Sequence, residues 1–206
     1  MRKLSAIALI VALVACLAAC SPTVVPDVSY FRLGPPTPFP HADKPLTSLP
    51  IEVEVFRGEG IYAEQALIYA TDANASVLRT YHYQLWSDPP SRGLQARLTQ
   101  MLRASGISAL VTDSLPASTQ ALRVQGRITR YERVQNGSGF TAHVEFDIRI
   151  EQDSGEPILE QTYTADANAS DATIASTVQA FSAAVDQAFA KFYGDLAALS
   201  KDTHAG

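Results

Sequence analysis

A run of strictly alternating side chains constrains the fold of this chain more than any other feature. Between positions 140 and 151, apolar residues at the even positions alternate with polar residues at the odd ones. A period of two predicts a β-strand with one face in the core and the other in water or on a partner. A similar alternation begins at Leu122, and the turn sequence 136–139 joins the two. A third strand is predicted over 157–165, so this half of the chain forms an antiparallel sheet.

The second constraint is a long amphipathic stretch near the end, which predicts a helix over about 171–200. Apolar residues recur there every three or four positions, the spacing that places them on one helix face. They are Ile174, Val178, Phe181, Val185, Phe189, Phe192, Leu196 and Leu199. Asp186, Lys191 and Asp195 argue against a membrane span. A helix of about 26 residues is about 39 Å long, enough to cross a whole sheet.

The first half predicts shorter elements around one further helix. Strands are predicted over 28–33, 51–56, 66–71, 77–83 and 107–112, the third and fourth joined as a hairpin. A helix with Asp88 as N-cap and Pro89 in its first turn ends at Gly106. The proline-rich stretch 34–50 predicts an extended crossing loop, ordered or mobile. The fold class is therefore α/β in the α+β sense: one two-layer domain with a mostly antiparallel or mixed sheet and two main helices, the C-terminal one long.

The first twenty residues have the layout of a bacterial lipoprotein signal. Arg2 and Lys3 precede an apolar run over 6–17 that is too short to span a membrane comfortably. The run closes on Leu-Ala-Ala-Cys, a lipobox, which predicts cleavage between Ala19 and Cys20 and acylation of the Cys20 sulfur. An ordinary signal peptide and a membrane anchor are the alternatives. Ser21 after the cysteine favours the outer membrane, because lipoproteins with aspartate there generally stay in the inner membrane.

This cleavage divides the chain into four parts: a signal peptide over 1–19, a lipidated tether over 20–27, a domain over 28–200 and a tail over 201–206. Removing 19 of 206 residues leaves 187, enough for one domain with a real core. The mature net charge is 14 − 21 = −7, because Arg2 and Lys3 leave with the signal. An acidic surface argues against nucleic-acid binding. The acidic surface also argues against a purely electrostatic hold on anionic lipid, which needs clustered lysine and arginine. Attachment to the membrane must therefore come from the acyl chains.

The mature chain carries few groups that could do chemistry. Cys16 leaves with the signal and Cys20 is consumed by lipid, so no thiol remains for a disulfide, a metal or nucleophilic catalysis. The sequence contains neither a phosphate-binding loop of the Walker type nor a G-x-S-x-G elbow. We predict no catalytic residue, no metal site and no cofactor.

Two clusters of side chains are candidate functional sites. His143, Glu145 and Asp147 share the polar face of one strand and could bind a cation or act as acid and base, although a solvated strand face explains them better. Tyr83, Trp86 and Asp88 stand where a strand leads into a helix, and they are the candidate ligand or partner contacts. Core packing is the alternative for the aromatic pair.

The order of these pieces resembles a known family. After the lipobox come Tyr-Phe-Arg-Leu at 30–33, Ile-Glu-Val-Glu-Val at 51–55, and Tyr-Gln-Leu-Trp-Ser-Asp-Pro at 83–89 opening a helix. In the order of these motifs, the chain is similar to the ABC-type transport auxiliary lipoproteins, which include paraquat-inducible protein C. The family usually carries Trp-Ala-Glu-Pro-Leu at the last motif. This chain keeps the tryptophan, an acid and the proline, and departs at Ser87 and Pro90.

The resemblance implies a role and a set of partners. Such lipoproteins serve envelope transport systems that move lipids or other hydrophobic compounds between the two membranes. The implied partners are a periplasmic protein of the mammalian-cell-entry (MCE) type, a permease and an ATPase. The chain would lie on the periplasmic face of the outer membrane, without enzymatic activity. The resemblance implies a compact α/β domain with helices packed on a sheet. Whether copies form a homo-oligomer stays open.

Two other functions are alternatives to this docking role. A lipid carrier would need a pocket between the sheet and the terminal helix, lined by residues such as Phe181, Val185 and Phe189. A periplasmic hydrolase would use His143 with Glu145 or Asp147. The three functions need different features of the folded domain: an open surface, an internal cavity and a reactive base.

The lipobox generates the first prediction. In cells grown with labelled palmitate, the mature protein should carry the label, and Cys20→Ser should lose it, because the sulfur of that residue is the acylation point. Autoradiography of the purified protein measures this. Cys16→Ser should keep the label, since that cysteine leaves with the signal. Label persisting in Cys20→Ser, or absent from the unaltered protein, would contradict the lipobox.

Overall fold

A computed structural model describes residues 26–72, 74, 76–152 and 155–202, with side chains up to 199. The predicted signal peptide and Cys20, the predicted site of acylation, lie outside these residues. The described part contains nine strands: β1 (Ser29–Phe31), β2 (Ile51–Val53), β3 (Arg57–Gly58), β4 (Ala66–Ala70), β5 (Leu78–Trp86), β6 (Val111–Thr112), β7 (Leu122–Asn136), β8 (Gly139–Glu151) and β9 (Pro157–Asn168). The two α-helices are α1 (Pro90–Ser105) and α2 (Ile174–Asp202), and Gly60–Ala63 forms a short 3₁₀ turn.

Strand β7 joins the two halves of the sheet. Along one edge it pairs with β8 in antiparallel register from Arg123↔Glu151 to Asn136↔Gly139, and β9 continues this half beyond β8. It also pairs, in parallel, with three short strands in succession, β2, β3 and β4. Beyond β4 lie β5 and then β1, and β6 pairs with β2. The sheet is therefore mixed, which confirms the predicted fold class.

The predicted alternation produces a core face and a polar face on β8. Ala142, Val144, Phe146, Ile148 and Ile150 are all buried, and the polar residues between them lie on the other face. Helix α2 packs over β8 and β9 with its apolar stripe, as predicted. The two elements form one core because a period of two on the strand and a period of 3.6 on the helix each present a single apolar face.

Helix α1 begins one residue later than predicted. Pro89 occupies the N-cap position with an extended backbone (φ −51°, ψ 138°), and Pro90 is the first helical residue. A residue that precedes a proline is disfavoured in the helical region, so the second proline moves the start of the helix forward. The predicted capping role of Asp88 is therefore wrong. The predicted end is confirmed, because Gly106 adopts the left-handed conformation at φ 68°.

The predicted strand 51–56 is confined to β2, with β3 following it at Arg57–Gly58, and the predicted strand 107–112 is confined to β6. Ile51 and Val53 are buried as expected, but Val55 is 43% exposed. Glu52, expected on a solvated face, is buried, where its carboxylate pairs with Arg123 and accepts the Leu115 N–H. Strand β2 lies between β6 and β7, so both of its edges are paired, and all three of its residues are buried.

The proline-rich stretch 34–50 is an ordered arm across both helices. The backbone N–H of Ala42 donates to the Ser105 carbonyl at the end of α1, over 2.8 Å. On α2, the Tyr193 hydroxyl donates to the Pro40 carbonyl over 2.9 Å. The Phe39 ring stacks on the Tyr193 ring with centroids 4.5 Å apart. The prolines exclude helix, and these contacts fix the arm's path.

Gly126 on β7 generates a prediction about the core. A Cβ there would overlap the ring of Phe56, which is itself buried against Phe146 and Phe189. Gly126→Val should lower the free energy of unfolding by roughly 1–3 kcal/mol, because the overpacked rings must shift. Urea denaturation followed by circular dichroism measures this.

The matched control is Gly194→Ala on α2, where an added Cβ meets nothing within 4 Å. It should raise the free energy of unfolding by about 0.5–1 kcal/mol, because glycine is unfavourable in a helix interior. Equal stability of Gly126→Val and the unaltered protein would show that the rings yield at no cost.

Candidate functional site

A cleft lies where β1, the start of the arm, the end of β5 and the start of α1 meet. We call it the β1–α1 cleft, and its volume is about 500 Å³. The apolar part of its lining includes Phe31, Leu33, Pro36, Trp86, Pro90 and Tyr131. Polar groups such as Arg32, Asp88 and Gln100 also line it. A mostly apolar concavity with a few polar groups is the usual form of a binding site.

Pairing between β1 and β5 builds one wall of the cleft. Phe31 is the partner of Trp86 in this parallel pair, and the backbone N–H of Ser87 donates to the Phe31 carbonyl over 2.7 Å. The chain then turns through Asp88 and two prolines into α1. Strand β1 thereby holds the beginning of the arm against the beginning of the helix.

The base of the cleft is aromatic. The Trp86 ring lies 5.4 Å from the Tyr131 ring and 5.3 Å from the Phe181 ring, centroid to centroid. Trp86 is buried, so it serves both as a core residue and as part of the lining. Burial raises the pKa of Tyr131 well above its ordinary value, so its hydroxyl stays neutral at any physiological pH.

The structure brings together two of the three predicted contact residues. Trp86 and Asp88 both line the cleft, and the Asp88 carboxylate accepts a hydrogen bond from the Ser87 hydroxyl over 3.2 Å. Tyr83 is not part of this lining. It lies in an irregular part of β5, between the register pairs Ala66↔Leu85 and Ile68↔Thr80, with its ring 6.4 Å from that of His82.

A buried ion pair beneath the cleft escaped the sequence analysis. The Arg97 side chain on α1, 5% exposed, donates from Nε to the Asp186 carboxylate of α2 over 2.7 Å. Its Nη1 donates to the Gly34 carbonyl over 2.6 Å. The other oxygen of Asp186 accepts the Thr37 N–H over 2.8 Å. The sequence feature that indicates this ion pair is an arginine on the apolar face of a predicted helix, next to Leu98.

On the polar face of the sheet, the predicted His-Glu-Asp cluster is divided into separate cross-strand contacts. Glu145 accepts hydrogen bonds from the hydroxyls of Thr129 and Thr164. Asp147 accepts from Arg127 over 2.6 Å and from Thr162 over 2.7 Å. Burial alone would raise the Asp147 pKa, but these hydrogen bonds and the Arg127 charge hold it below its ordinary value. A carboxylate of this kind is a poor proton acceptor at neutral pH.

His143 bonds to neither of its supposed catalytic partners. Its Nδ1 lies 2.7 Å from the Asp166 carboxylate on β9, and its Nε2 is buried without a hydrogen-bond partner. Neither nitrogen is thus open to a substrate. In the part of the chain that the structure describes, no three His, Cys, Asp or Glu side chains are grouped so as to hold a metal ion. The geometry gives no support to the hydrolase hypothesis.

The central part of the interface between the sheet and α2 is filled by side chains. Phe181, Val185 and Phe189 are buried there, and the Phe189 ring lies 5.7 Å from the Phe146 ring and 5.9 Å from the Phe56 ring. These residues occupy the space that a carried lipid would need. The lipid-carrier hypothesis therefore finds no support at the place where it was expected.

Fold and cleft together define a class of protein: a mixed α+β domain with a cleft between its first strand and first helix. The profile of the family described as "ABC-type transport auxiliary lipoprotein component" matches residues 61–191, more than half of the chain. The chain therefore belongs to this family of auxiliary transport lipoproteins. Within the described residues, no helix has the length and apolar character needed to cross a bilayer.

Solved structures share the fold at low sequence identity. Protein XCC0632 from Xanthomonas campestris is 17% identical, with a TM-score of 0.73 over 86% of this chain and 100% of that one. An uncharacterized protein is 13% identical, with a TM-score of 0.59 over 84% and 97%. The hypothetical protein CT253 from Chlamydia trachomatis is 7% identical, with a TM-score of 0.50 over 74% and 98%. These likenesses show the fold alone. No curated protein matches the chain.

The buried ion pair generates a prediction about the arm. Asp186→Ala leaves the Arg97 guanidinium buried without its counter-ion, so the free energy of unfolding should fall by about 3–5 kcal/mol. The Thr37 amide loses its acceptor, and its hydrogen exchange should become faster. Urea denaturation and exchange mass spectrometry measure the two effects.

Asp195→Ala is the matched control, since it removes another α2 carboxylate, one that accepts the Tyr163 hydroxyl of β9 over 2.9 Å. It should leave exchange at Thr37 unchanged. Unaltered exchange at Thr37 in Asp186→Ala would mean that the ion pair does not hold the arm.

Proposed function

We propose that this protein is a non-enzymatic docking component of an envelope transport system, anchored by lipid to the periplasmic face of the outer membrane. The observation that carries the proposal is the family match over residues 61–191. The system moves lipids or other hydrophobic compounds between the membranes. Its other components are an MCE-type periplasmic protein, a permease and an ATPase.

The N-terminal sequence supports the location. The lipobox ends at Cys20, Ser21 follows it, and the domain begins after a tether over 20–27. We assign residues 28–200 to the auxiliary domain and 201–206 to a tail. One acyl chain gives only weak attachment, whereas the several chains of a lipoprotein cysteine hold a protein on the membrane stably.

The chemistry of the described residues supports a docking role over catalysis. On the polar sheet face, His143, Glu145 and Asp147 are each engaged in cross-strand hydrogen bonds. The β1–α1 cleft is open and mostly apolar, and its Trp86 and Asp88 belong to the motif on which the family resemblance rests. We propose that a segment of the MCE-type partner docks in this cleft.

Filling the cleft tests this docking site. Gly93 on α1 lines the cleft, and a Cβ added there would meet nothing within 4 Å. Gly93→Leu should therefore occupy the cleft without disturbing the core, and replacing a helical glycine should not weaken the fold. We expect at least about a tenfold loss of affinity for the MCE-type partner, the effect of losing roughly 1.4 kcal/mol of contact energy. Co-purification from membranes and titration of the purified components measure it.

Gly194→Leu is the control, because its position on α2 is equally open but lies outside the cleft. It should bind the partner normally. If both variants bind normally, the docking site is elsewhere on the domain. If the unaltered protein fails to capture any transport component by cross-linking in cells, the proposed function itself is wrong.

A further inference from the structure

Two exposed apolar side chains lie at the start of β1: Val28, which immediately precedes the strand, and Tyr30 within it. Val28 is 46% exposed and Tyr30 is 65% exposed, the largest value among the exposed large hydrophobic residues described. The two are separated by one residue, so they point to the same side of the extended chain. Phe31 points the other way and lines the β1–α1 cleft. The strand thus has a cleft face and an outward apolar face.

The position of β1 brings this face close to the membrane. In the described sheet, β1 is the terminal strand beside β5. Val28 follows Cys20 by 28 − 20 = 8 residues. Eight residues reach at most about 29 Å when fully extended. If Cys20 is acylated, as the proposed function requires, Val28 is held within this distance of the lipid surface, and Tyr30 follows two residues further along the chain.

We propose that Val28 and Tyr30 form a second membrane contact, with their side chains inserted among the headgroups of the phospholipid leaflet that holds the acyl chains. This inference rests on the proposed function. Tyrosine suits the place, because its ring is apolar and its hydroxyl remains hydrated at the interface. The tether raises the effective concentration of the contact, so two side chains suffice where a free domain would not bind.

The flanking charges indicate which lipid property is recognised. Asp27 and Arg32 are both exposed, one on each side of the pair, and they carry opposite charges. An anionic surface attracts Arg32 and repels Asp27, so the two effects oppose one another. The contact therefore depends on burial of apolar side chains and needs no anionic lipid. It should persist at high salt, which screens charges but does not weaken apolar burial.

A second copy of the chain is the other occupant to consider. Strand β1 has only three residues, Ser29–Phe31, so pairing along its edge would form few backbone hydrogen bonds. The tether, in contrast, acts on every molecule whatever its concentration. Lipid is therefore the occupant that the described residues favour.

Seating β1 on the membrane would orient the whole domain. Tyr30 would face lipid while its neighbour Phe31 lines the cleft, so the cleft would open close to the leaflet. A docked partner would then deliver or receive its cargo near the surface and not at the far end of a swinging domain. In this arrangement the acyl chains attach the protein to the membrane, and the contact made by β1 sets the orientation of the domain.

Fluorescence quenching tests this contact in the acylated, full mature protein. Tyr30→Trp places an indole on the outward face, and the natural Trp86 is the sole other tryptophan and is buried. The protein is reconstituted into phosphatidylcholine vesicles whose acyl chains are brominated near the headgroup. The introduced indole should lose about half of its emission, because interfacial aromatic rings lie at that depth. The emission of the unaltered protein supplies the Trp86 background.

Val77→Trp is the matched control. Val77 is also exposed, at 51%, but it precedes β5, whereas β1 pairs with the other end of that strand. Its indole should not be quenched. Equal quenching of both positions would mean that the domain lies on the membrane without preference, which overturns the proposal. Loss of the Tyr30→Trp quenching at high salt would also overturn it, because the contact would then be electrostatic.

Two further outcomes separate this inference from the proposed function. Mass spectrometry of the N-terminal peptide reports acylation independently, and absence of lipid on Cys20 would refute the anchor itself. If the protein is acylated but the Tyr30→Trp emission is unquenched, the anchor stands and the second contact is refuted. Emission that is unquenched and changes with protein concentration would assign the face to a second copy, again overturning the proposal.

Discussion

The two-sided pairing of β7 is the constraint on which the rest of the structure depends. Its fifteen residues carry an antiparallel partner and a succession of three short parallel ones. Each short strand is too small to be stable alone, and β7 provides the template that fixes its register. The pairs Ile51↔Leu122 and Tyr69↔Arg133 thus place the first half of the chain beside the second. The cleft depends on the same template, since β5 and β1 extend the sheet outward from β4.

A buried ion pair fixes the position of the arm, which strand pairing does not hold. The arm over 34–50 contains no strand, and prolines remove several of its N–H donors, so it cannot join the sheet. Arg97 and Asp186 instead satisfy its carbonyl and amide groups while satisfying each other. A guanidinium suits this place because it has five donors in a fixed geometry and stays charged when buried. The pair ties two helices and the arm together, and so fixes the wall of the cleft.

How much of this the sequence could predict depended on the distance between partners along the chain. The β7–β8–β9 half and helix α2 were predicted because periodicity is a local property, visible in residues such as Val144 and Phe189. The parallel pairings were not, because Phe31 and Trp86 are separated by 86 − 31 = 55 residues and no local pattern links them. Trp86 and Asp88 were predicted as contact residues from one short motif, and the fold places both in the cleft, whereas Tyr83 of the same motif lies outside its lining. Tyr131 and Arg97 join them only through the fold.

In the proposed function, the arrangement of β1 gives an auxiliary domain an orientation as well as an anchor. A lipid anchor alone leaves the orientation of a domain undetermined, since a tether restrains distance but not rotation. A docking cleft is useful only if its opening faces the partner. Because β1 follows Cys20 closely in sequence and its Phe31 lines the cleft, a single strand would relate the direction of the membrane to the direction of the cleft in the proposed arrangement. The short register between β1 and β5 would thus couple the proposed attachment to the proposed docking.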